Sequence, residues 1–147
     1  MKKLVILSGP SGSGLSTSRL AFEELGYWIV EGAPVDSISS ILTSFKTRKF
    51  KTDLFCLIVG VQDAGEVTKI CKDDGSFDVS LALLTTSKEA LLKRYALTRH
   101  HHPRSVLTKV SLEKAIDLDL EDTNNIYPDA DITIDSSCLN AKELRRE

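Results

Sequence analysis

Cysteine, net charge and long apolar runs are all scarce in this sequence, and each scarcity argues against a class of protein. The three cysteines are an odd number for 147 residues, and no two of them have C-x-x-C spacing. We therefore expect neither a disulfide framework nor a cysteine zinc site. The formal net charge of −2 gives no bulk attraction to nucleic acid or to an anionic membrane.

The longest apolar runs, such as residues 4–7 and 54–59, are far shorter than the roughly 20 residues that span a bilayer. The N-terminal segment MKKLVILSGPSGSG begins like a signal peptide, but its apolar stretch is too short and no A-x-A site follows. A first β-strand explains this segment better. We therefore expect a cytoplasmic protein without a membrane partner.

Histidine is clustered only in RHHHP, residues 99–103, and this cluster does not predict a metal site. Three adjacent histidines cannot all face one metal ion from a helix or a strand. Cys56 lies in an apolar, strand-like run, where a small core residue is expected.

Short apolar runs alternate along the chain with segments of helical periodicity. Strands are predicted at residues 3–7, 27–31, 53–60, 78–86 and 130–137, and helices at 16–26, 34–50, 63–72, 87–99, 111–126 and from 139 onward. This alternation predicts an α/β fold of three layers, with a five-stranded parallel sheet and helices on both faces. The first strand is expected among the central ones, and ligands are expected beyond the carboxyl ends of the strands.

Two of these helices carry apolar residues at helical spacing. In the first helix these are Leu20, Ala21 and Leu25, and Gly26 is placed to end it. In the second helix, which Pro34 is placed to open, they are Val35, Ile38, Ile41, Leu42 and Phe45.

A glycine-rich loop separates the first strand from the first helix. Gly9, four further residues, Gly14, Leu15 and Ser16 match the pattern G-x-x-x-x-G-K-[ST] at every position except the lysine. Such a loop turns successive backbone N–H groups inward at a helix N-terminus, which forms an anion site without a charged side chain. The Ser16 hydroxyl is expected to bind Mg²⁺. The predicted ligand residues are Gly9, Pro10, Ser11, Gly12, Ser13, Gly14, Leu15, Ser16 and Thr17.

Leu15 removes the cation that contacts the outer phosphates, and the loss of one charge-assisted hydrogen bond weakens binding roughly tenfold to hundredfold. The alternative is a plain serine-glycine turn without a ligand. Residues 88–114 carry seven Lys or Arg and two Glu. Arg99 and Arg104 could reach the phosphates in place of the lysine, or they could simply complement a helix C-terminus and a solvated loop. For Arg94 the second interpretation is favoured.

The chain resembles the N-terminal domain of the RapZ/YvcJ family of bacterial P-loop proteins. The resemblance is collinear over nearly all of the sequence and rests on SGPSGSG, ELGYWIVEGAP, LLKRYALTRHHHP, SLEKAID and ADITIDSS. It implies an adenylate-kinase-like P-loop fold that binds ATP or GTP with Mg²⁺ and hydrolyses it weakly at best. The RNA and metabolite functions of the family are associated with a second domain. The sequence ends at Glu147 before such a domain, so we expect either an excised domain or a shortened relative. We expect residues 1–147 to form a single domain and do not extend RNA binding to it.

The sequence departs from the family pattern at the predicted ligand rim. The family has lysine at the position of Leu15 and Asp-Asn at Glu31 and Gly32, so Glu31 is the acid that this chain retains. An acidic residue is also common at the position of Gly60, where Asp63 is the nearest substitute. We therefore expect a nucleotide-binding regulatory domain with weak or absent NTPase activity. The alternatives are a small-molecule kinase that uses Arg99 and Arg104, a site for phosphate or sulfate only, and a vestigial scaffold that binds a protein partner.

Overall fold

Strands and helices alternate in the structure, a computed structural model that describes residues 2–10, 13–47, 52–97 and 112–135. The strands are β1 (Lys2–Ser8), β2 (Trp28–Glu31), β3 (Leu54–Ile58), β4 (Phe77–Thr85) and β5 (Ile132–Asp135). The α-helices are α1 (Leu15–Glu24), α2 (Ile38–Thr47), α3 (Ala64–Asp74), α4 (Lys88–Leu97) and α5 (Leu112–Ile126). The predicted alternation is confirmed over these ranges, whereas the helix predicted from residue 139 lies outside them.

All five strands are parallel, and they lie in the order β2-β3-β1-β4-β5. The first strand is therefore central, as the sequence predicts. Leu7 of β1 pairs with Ile58 of β3 and with Ala82 of β4, and Glu31 at the end of β2 pairs with Ile58 as well. The ends of these strands consequently form one rim of the sheet, which is where the glycine-rich loop begins.

Side chains from alternate positions of β1 enter two apolar clusters, as expected for a strand covered on both faces. Leu4 and Ile6 belong to the larger cluster, together with buried residues of α2 and α3. Val5 and Leu7 belong to the smaller cluster, against which α1 packs. This arrangement is the predicted three-layer α/β fold.

The second predicted helix is confirmed, with a different beginning. Ile38, Leu42 and Phe45 are buried in the larger cluster, and Phe45 stacks on Phe55 of β3 with ring centroids 4.2 Å apart. The segment Val35–Ser37 after Pro34 forms a separate 3₁₀ turn, so α2 itself begins at Ile38.

The apolar spacing of the first helix proves misleading. Leu20 and Leu25 are 47% and 68% exposed, whereas Ser18 is buried. Leu15 and Phe22 are the α1 side chains that pack against the smaller cluster. The buried stripe of α1 therefore follows positions 15, 18 and 22, and the small Ser18 side chain suits the face that lies closest to the sheet.

Ion pairs connect the ends of the helices on the surface. Lys46 of α2 lies 2.8 Å from Asp74, the last residue of α3. Lys88 of α4 lies 2.9 Å from Glu113 and 3.0 Å from Asp117 of α5, and these two carboxylates raise the pKa of Lys88. No helix within the described ranges is both long and apolar enough to cross a bilayer.

Candidate functional site

The glycine-rich loop starts from a rigid point in the centre of the sheet. Ser8, the last residue of β1, is completely buried, and its hydroxyl donates a hydrogen bond of 2.8 Å to the Val59 carbonyl oxygen. The Val59 N–H in turn donates to the Leu7 carbonyl oxygen at 3.1 Å. These two bonds fasten the end of β1 to the end of β3, and this fixes the point from which the loop begins.

Gly9 is the position at which the loop allows no side chain. A Cβ atom on Gly9 would lie 2.7 Å from the Leu84 carbonyl oxygen and 2.9 Å from the Ser13 hydroxyl oxygen. Atoms of these types cannot approach so closely, so the loop conformation depends on glycine here. The chain turns back over this glycine, and the buried Ser13 side chain lies against it.

The described part of the loop is curled. The Ser13 N–H donates to the Pro10 carbonyl oxygen at 3.0 Å, which brings these two residues of the loop together. Gly14 then adopts a left-handed conformation with φ of 104°, where a residue with a side chain would be strained. Ser11 and Gly12, two of the predicted ligand residues, lie outside the described residues.

Helix α1 begins directly after Gly14 with its first N–H groups uncapped. The first hydrogen bond of the helix joins the Ser18 N–H to the Gly14 carbonyl oxygen at 2.9 Å. The amides of Leu15, Ser16 and Thr17 therefore have no acceptor within the helix, and no side chain caps them in the described structure. Uncapped amides at the positive end of a helix dipole form a site for an anion such as phosphate.

The Leu15 side chain packs against the smaller apolar cluster and is partly buried. That cluster is formed by Val5, Leu7, Cys56, Ile58, Ala82 and Leu84. Leucine at the lysine position thus anchors α1 to the sheet. The side chains of the next two residues differ in exposure: Ser16 is exposed and Thr17 is half-buried.

Glu31 lies at the end of β2, on the predicted rim, and its carboxylate is engaged by a residue that the sequence analysis missed. Arg19 of α1 places Nη1 2.8 Å from Glu31 Oε2 and Nε 3.1 Å from Glu23 Oε1. The spacing of Arg19 and Glu23, one helical turn apart, is a signal that the sequence contains. The bond to Glu31 depends on the return of β2 beside α1, which only the fold shows.

The remaining rim positions carry few charged groups. Gly60 follows β3, and the Asp63 N–H donates to its carbonyl oxygen at 3.0 Å in the turn that leads into α3. The Asp63 side chain precedes α3 without capping it. At the end of β4, the Thr85 hydroxyl donates to the Ile134 carbonyl oxygen at 3.4 Å, and Thr86 is buried.

Arg99 and Arg104 lie outside the described residues, as do the histidine cluster and Cys138. Their predicted roles therefore stay predictions. Arg94, on the last described turns of α4, is half-buried.

The two described cysteines are core residues. Burial raises the pKa of the Cys56 thiol to about 12, and burial together with the nearby Asp74 charge raises that of Cys71 to about 12. Both side chains thus stay protonated at neutral pH and are unsuited to nucleophilic attack or metal binding. No group of three or more metal-ligating side chains occurs in the part of the chain that the structure describes.

Comparison with known proteins gives relatives along the whole chain. One relative, a nucleotide-binding protein of Shewanella denitrificans, is 36% identical over 147 residues. Another, a nucleotide-binding protein of Thermotoga petrophila, is 32% identical over 148 residues. The matches cover 97% and 99% of this chain but 50% and 52% of the relatives, so the chain spans about half the length of the curated relatives it matches.

Solved structures with a similar fold include two small-molecule kinases. A gluconokinase from Sinorhizobium meliloti 1021 matches with a TM-score of 0.62 at 15% identity, over 99% of this chain and 88% of that one. A shikimate kinase from Bacteroides thetaiotaomicron matches with a TM-score of 0.59 at 10% identity, over 98% and 93%. These likenesses establish the fold alone, which is the predicted three-layer P-loop fold. A family model described as the RapZ-like N-terminal domain matches residues 2–147, and the chain therefore belongs to this family.

Proposed function

We propose that this domain binds a nucleotide, ATP or GTP with Mg²⁺, at the loop of residues 9–17 and acts as a regulatory module with weak or absent NTPase activity. The observation that carries the proposal is the N-terminus of α1, which no described side chain caps, at the end of a loop whose conformation requires glycine at position 9. Relatives that bear the name nucleotide-binding protein support the same ligand class. The cytoplasm, where these nucleotides are abundant, is the proposed location.

Each part of the loop has a separate role in this proposal. The amides of Leu15, Ser16 and Thr17 hold phosphate oxygens through hydrogen bonds and the helix dipole. The exposed Ser16 hydroxyl is the group that would hold Mg²⁺, which neutralises phosphate charge when it is bound. Gly9 and Gly14 give the backbone the conformation that such contacts need. A site limited to inorganic phosphate or sulfate is the smaller version of the same proposal.

Weak turnover follows from the charges that the loop lacks. Phosphoryl transfer depends on cations that stabilise charge on the transferred group, and residues 9–17 contain no lysine or arginine. One charge-assisted hydrogen bond contributes about 1.5–3 kcal/mol. Its loss from the transition state alone corresponds to a rate decrease of roughly tenfold to hundredfold. Glu31, the retained acid, is moreover bonded to Arg19.

A kinase or NTPase that uses Arg99 and Arg104 is the second candidate function. It is favoured by the basic segment that follows β4, with seven Lys or Arg in residues 88–114. This candidate would be supported if the wild-type protein steadily hydrolyses ATP or GTP and the Leu15→Lys variant hydrolyses it no faster. Hydrolysis at the level of buffer, which Leu15→Lys raises, would support the regulatory module.

Calorimetric titration with Mg·ATP and Mg·GTP tests the proposal. We expect saturable binding of at least one nucleotide to the wild-type protein. Ser16→Ala should weaken this binding in the presence of Mg²⁺ and leave it unchanged in EDTA, because the hydroxyl acts through the metal. Ser40→Ala, on the exposed side of α2, is the matched control and should change neither. Absence of binding of both nucleotides at millimolar concentration would contradict the proposal. It would favour the alternative function, a scaffold that binds a protein partner.

A further inference from the structure

The separate parts of a phosphate-binding loop contact different phosphates of a nucleotide. Backbone N–H groups surround the inner α- and β-phosphates, whereas the lysine reaches the β- and γ-phosphates. This chain retains the first part, in Gly9, Gly14 and the uncapped amides that follow, and lacks the second. The described residues of the loop therefore offer backbone contacts for a diphosphate, and residues 9–17 include no cationic side chain for a third phosphate.

Leu15 occupies a defined position in the structure. Its side chain packs against the apolar cluster under α1, in contact with the body of the sheet. Withdrawing it from this cluster would return apolar surface to water, which is unfavourable. The lysine position is thus occupied by a leucine side chain that does not attract a phosphate. Because this side chain is packed against the sheet, it does not easily move aside for a cationic group.

Arg19, the basic side chain that follows the loop in α1, is already engaged. It lies one turn after Leu15, and two carboxylates hold its guanidinium, at 2.8 Å from Glu31 and 3.1 Å from Glu23. One positive and two negative charges give this trio a net negative charge. A third phosphate, which adds negative charge to the ligand, gains no attraction from such a trio.

We propose that the site does not discriminate between nucleoside diphosphates and triphosphates, because it binds the phosphates that both share. This inference rests on the proposed nucleotide binding and adds the ligand class. Its consequence is that occupancy of the domain follows the total concentration of the nucleotide and not its state of phosphorylation. A domain with the lysine would instead favour the triphosphate.

Calorimetric titration of the wild-type protein and of two variants, with Mg·ATP and Mg·ADP and the guanine pair in parallel, tests this inference. The wild-type dissociation constants for the diphosphate and the triphosphate should agree within about threefold, well below the tenfold that 1.4 kcal/mol would produce. Leu15→Lys should tighten triphosphate binding roughly tenfold to hundredfold relative to Leu15→Met, and diphosphate binding less. Methionine matches lysine in length without its charge, so the comparison isolates the cation.

Two results would overturn the inference while leaving the proposed function intact. The first is a wild-type protein that binds the triphosphate more than about tenfold tighter than the diphosphate, which would mean that another cation contacts the third phosphate. The second is an Arg19→Gln variant that loses affinity for the triphosphate alone, since we expect equal changes for both ligands. Absence of binding for all four nucleotides would instead overturn the proposed function, and the inference with it.

Discussion

Single residues matter here through the room that their surroundings leave for a side chain as much as through their chemistry. The two glycines Gly9 and Gly65 illustrate the difference. A Cβ on Gly9 would lie 2.7 Å from a backbone carbonyl oxygen, whereas a Cβ on Gly65, in the first turn of α3, would meet Ile126 at an ordinary 3.7 Å. The two positions therefore respond in opposite directions to the same added methyl group.

We predict that Gly9→Ala lowers the free energy of unfolding by about 1–3 kcal/mol, because the backbone of β4 or of the loop must move to accept the methyl group. Gly65→Ala should raise it by up to about 1 kcal/mol, since alanine favours the helix. Urea unfolding of both variants measures the two changes. Equal effects of the two substitutions would show that the close approach at Gly9 carries no strain.

Helices show where sequence patterns succeed and where they fail. The apolar pattern of α2 correctly predicts its buried face, because its large apolar residues, including Ile38, Leu42 and Phe45, lie on one side of the helix. Leu20 of α1 and Leu25, which follows its last residue, are exposed, whereas Ser18 is buried. A helix that must lie close to a sheet favours a small residue on its contact face, and hydrophobicity alone does not report that requirement.

The link between α2 and α3 predicts a specific dependence of stability on pH. Hydrogen bonds from Lys46 and from Ser76 lower the pKa of Asp74, so the folded protein favours the ionised carboxylate. This stabilisation is present above the pKa of about 3.9 of the unfolded carboxyl group. It is lost as the pH falls through the lower pKa of the folded state.

Asp74→Asn should therefore reduce the free energy of unfolding by up to about 1 kcal/mol at pH 7, the value typical of a surface ion pair. The difference in the free energy of unfolding between this variant and the wild-type protein should disappear once the pH is below the pKa of Asp74 in both the folded and the unfolded state. Urea unfolding over this range of pH is the measurement. If the difference in the free energy of unfolding persists undiminished in acid, the effect comes from the backbone turn at Ser76 and not from the charge of the Asp74 carboxylate.

At the scale of the whole molecule, the elements and their layering could be predicted, but the neighbours of each strand could not. Alternating apolar runs and helical segments indicate a parallel α/β sheet, and β1 is central as expected. The order β2-β3-β1-β4-β5 depends on pairings such as Glu31 with Ile58, between residues far apart in sequence. The bond of Arg19 to Glu31 depends on the same return of the chain, which is why the sequence did not indicate it.

The candidate site, like the fold, has features that the sequence predicts and features that only the three-dimensional structure shows. Its glycines and the absent lysine are visible in the sequence as letters of a local pattern. The close approach of Gly9 to the Leu84 carbonyl oxygen arises from tertiary contacts, as does the packing of Leu15 against the sheet. The fold thus presents a local motif whose glycines are retained and whose lysine is replaced by an apolar side chain that packs on the sheet.

Amide NMR of the isotope-labelled wild-type protein during titration with Mg·ADP tests most directly whether the loop binds phosphate without its lysine. We predict saturable shifts that are largest for the amides of Gly14, Leu15, Ser16 and Thr17. No shifts at millimolar ADP, or shifts centred on another surface such as α5, would contradict the account.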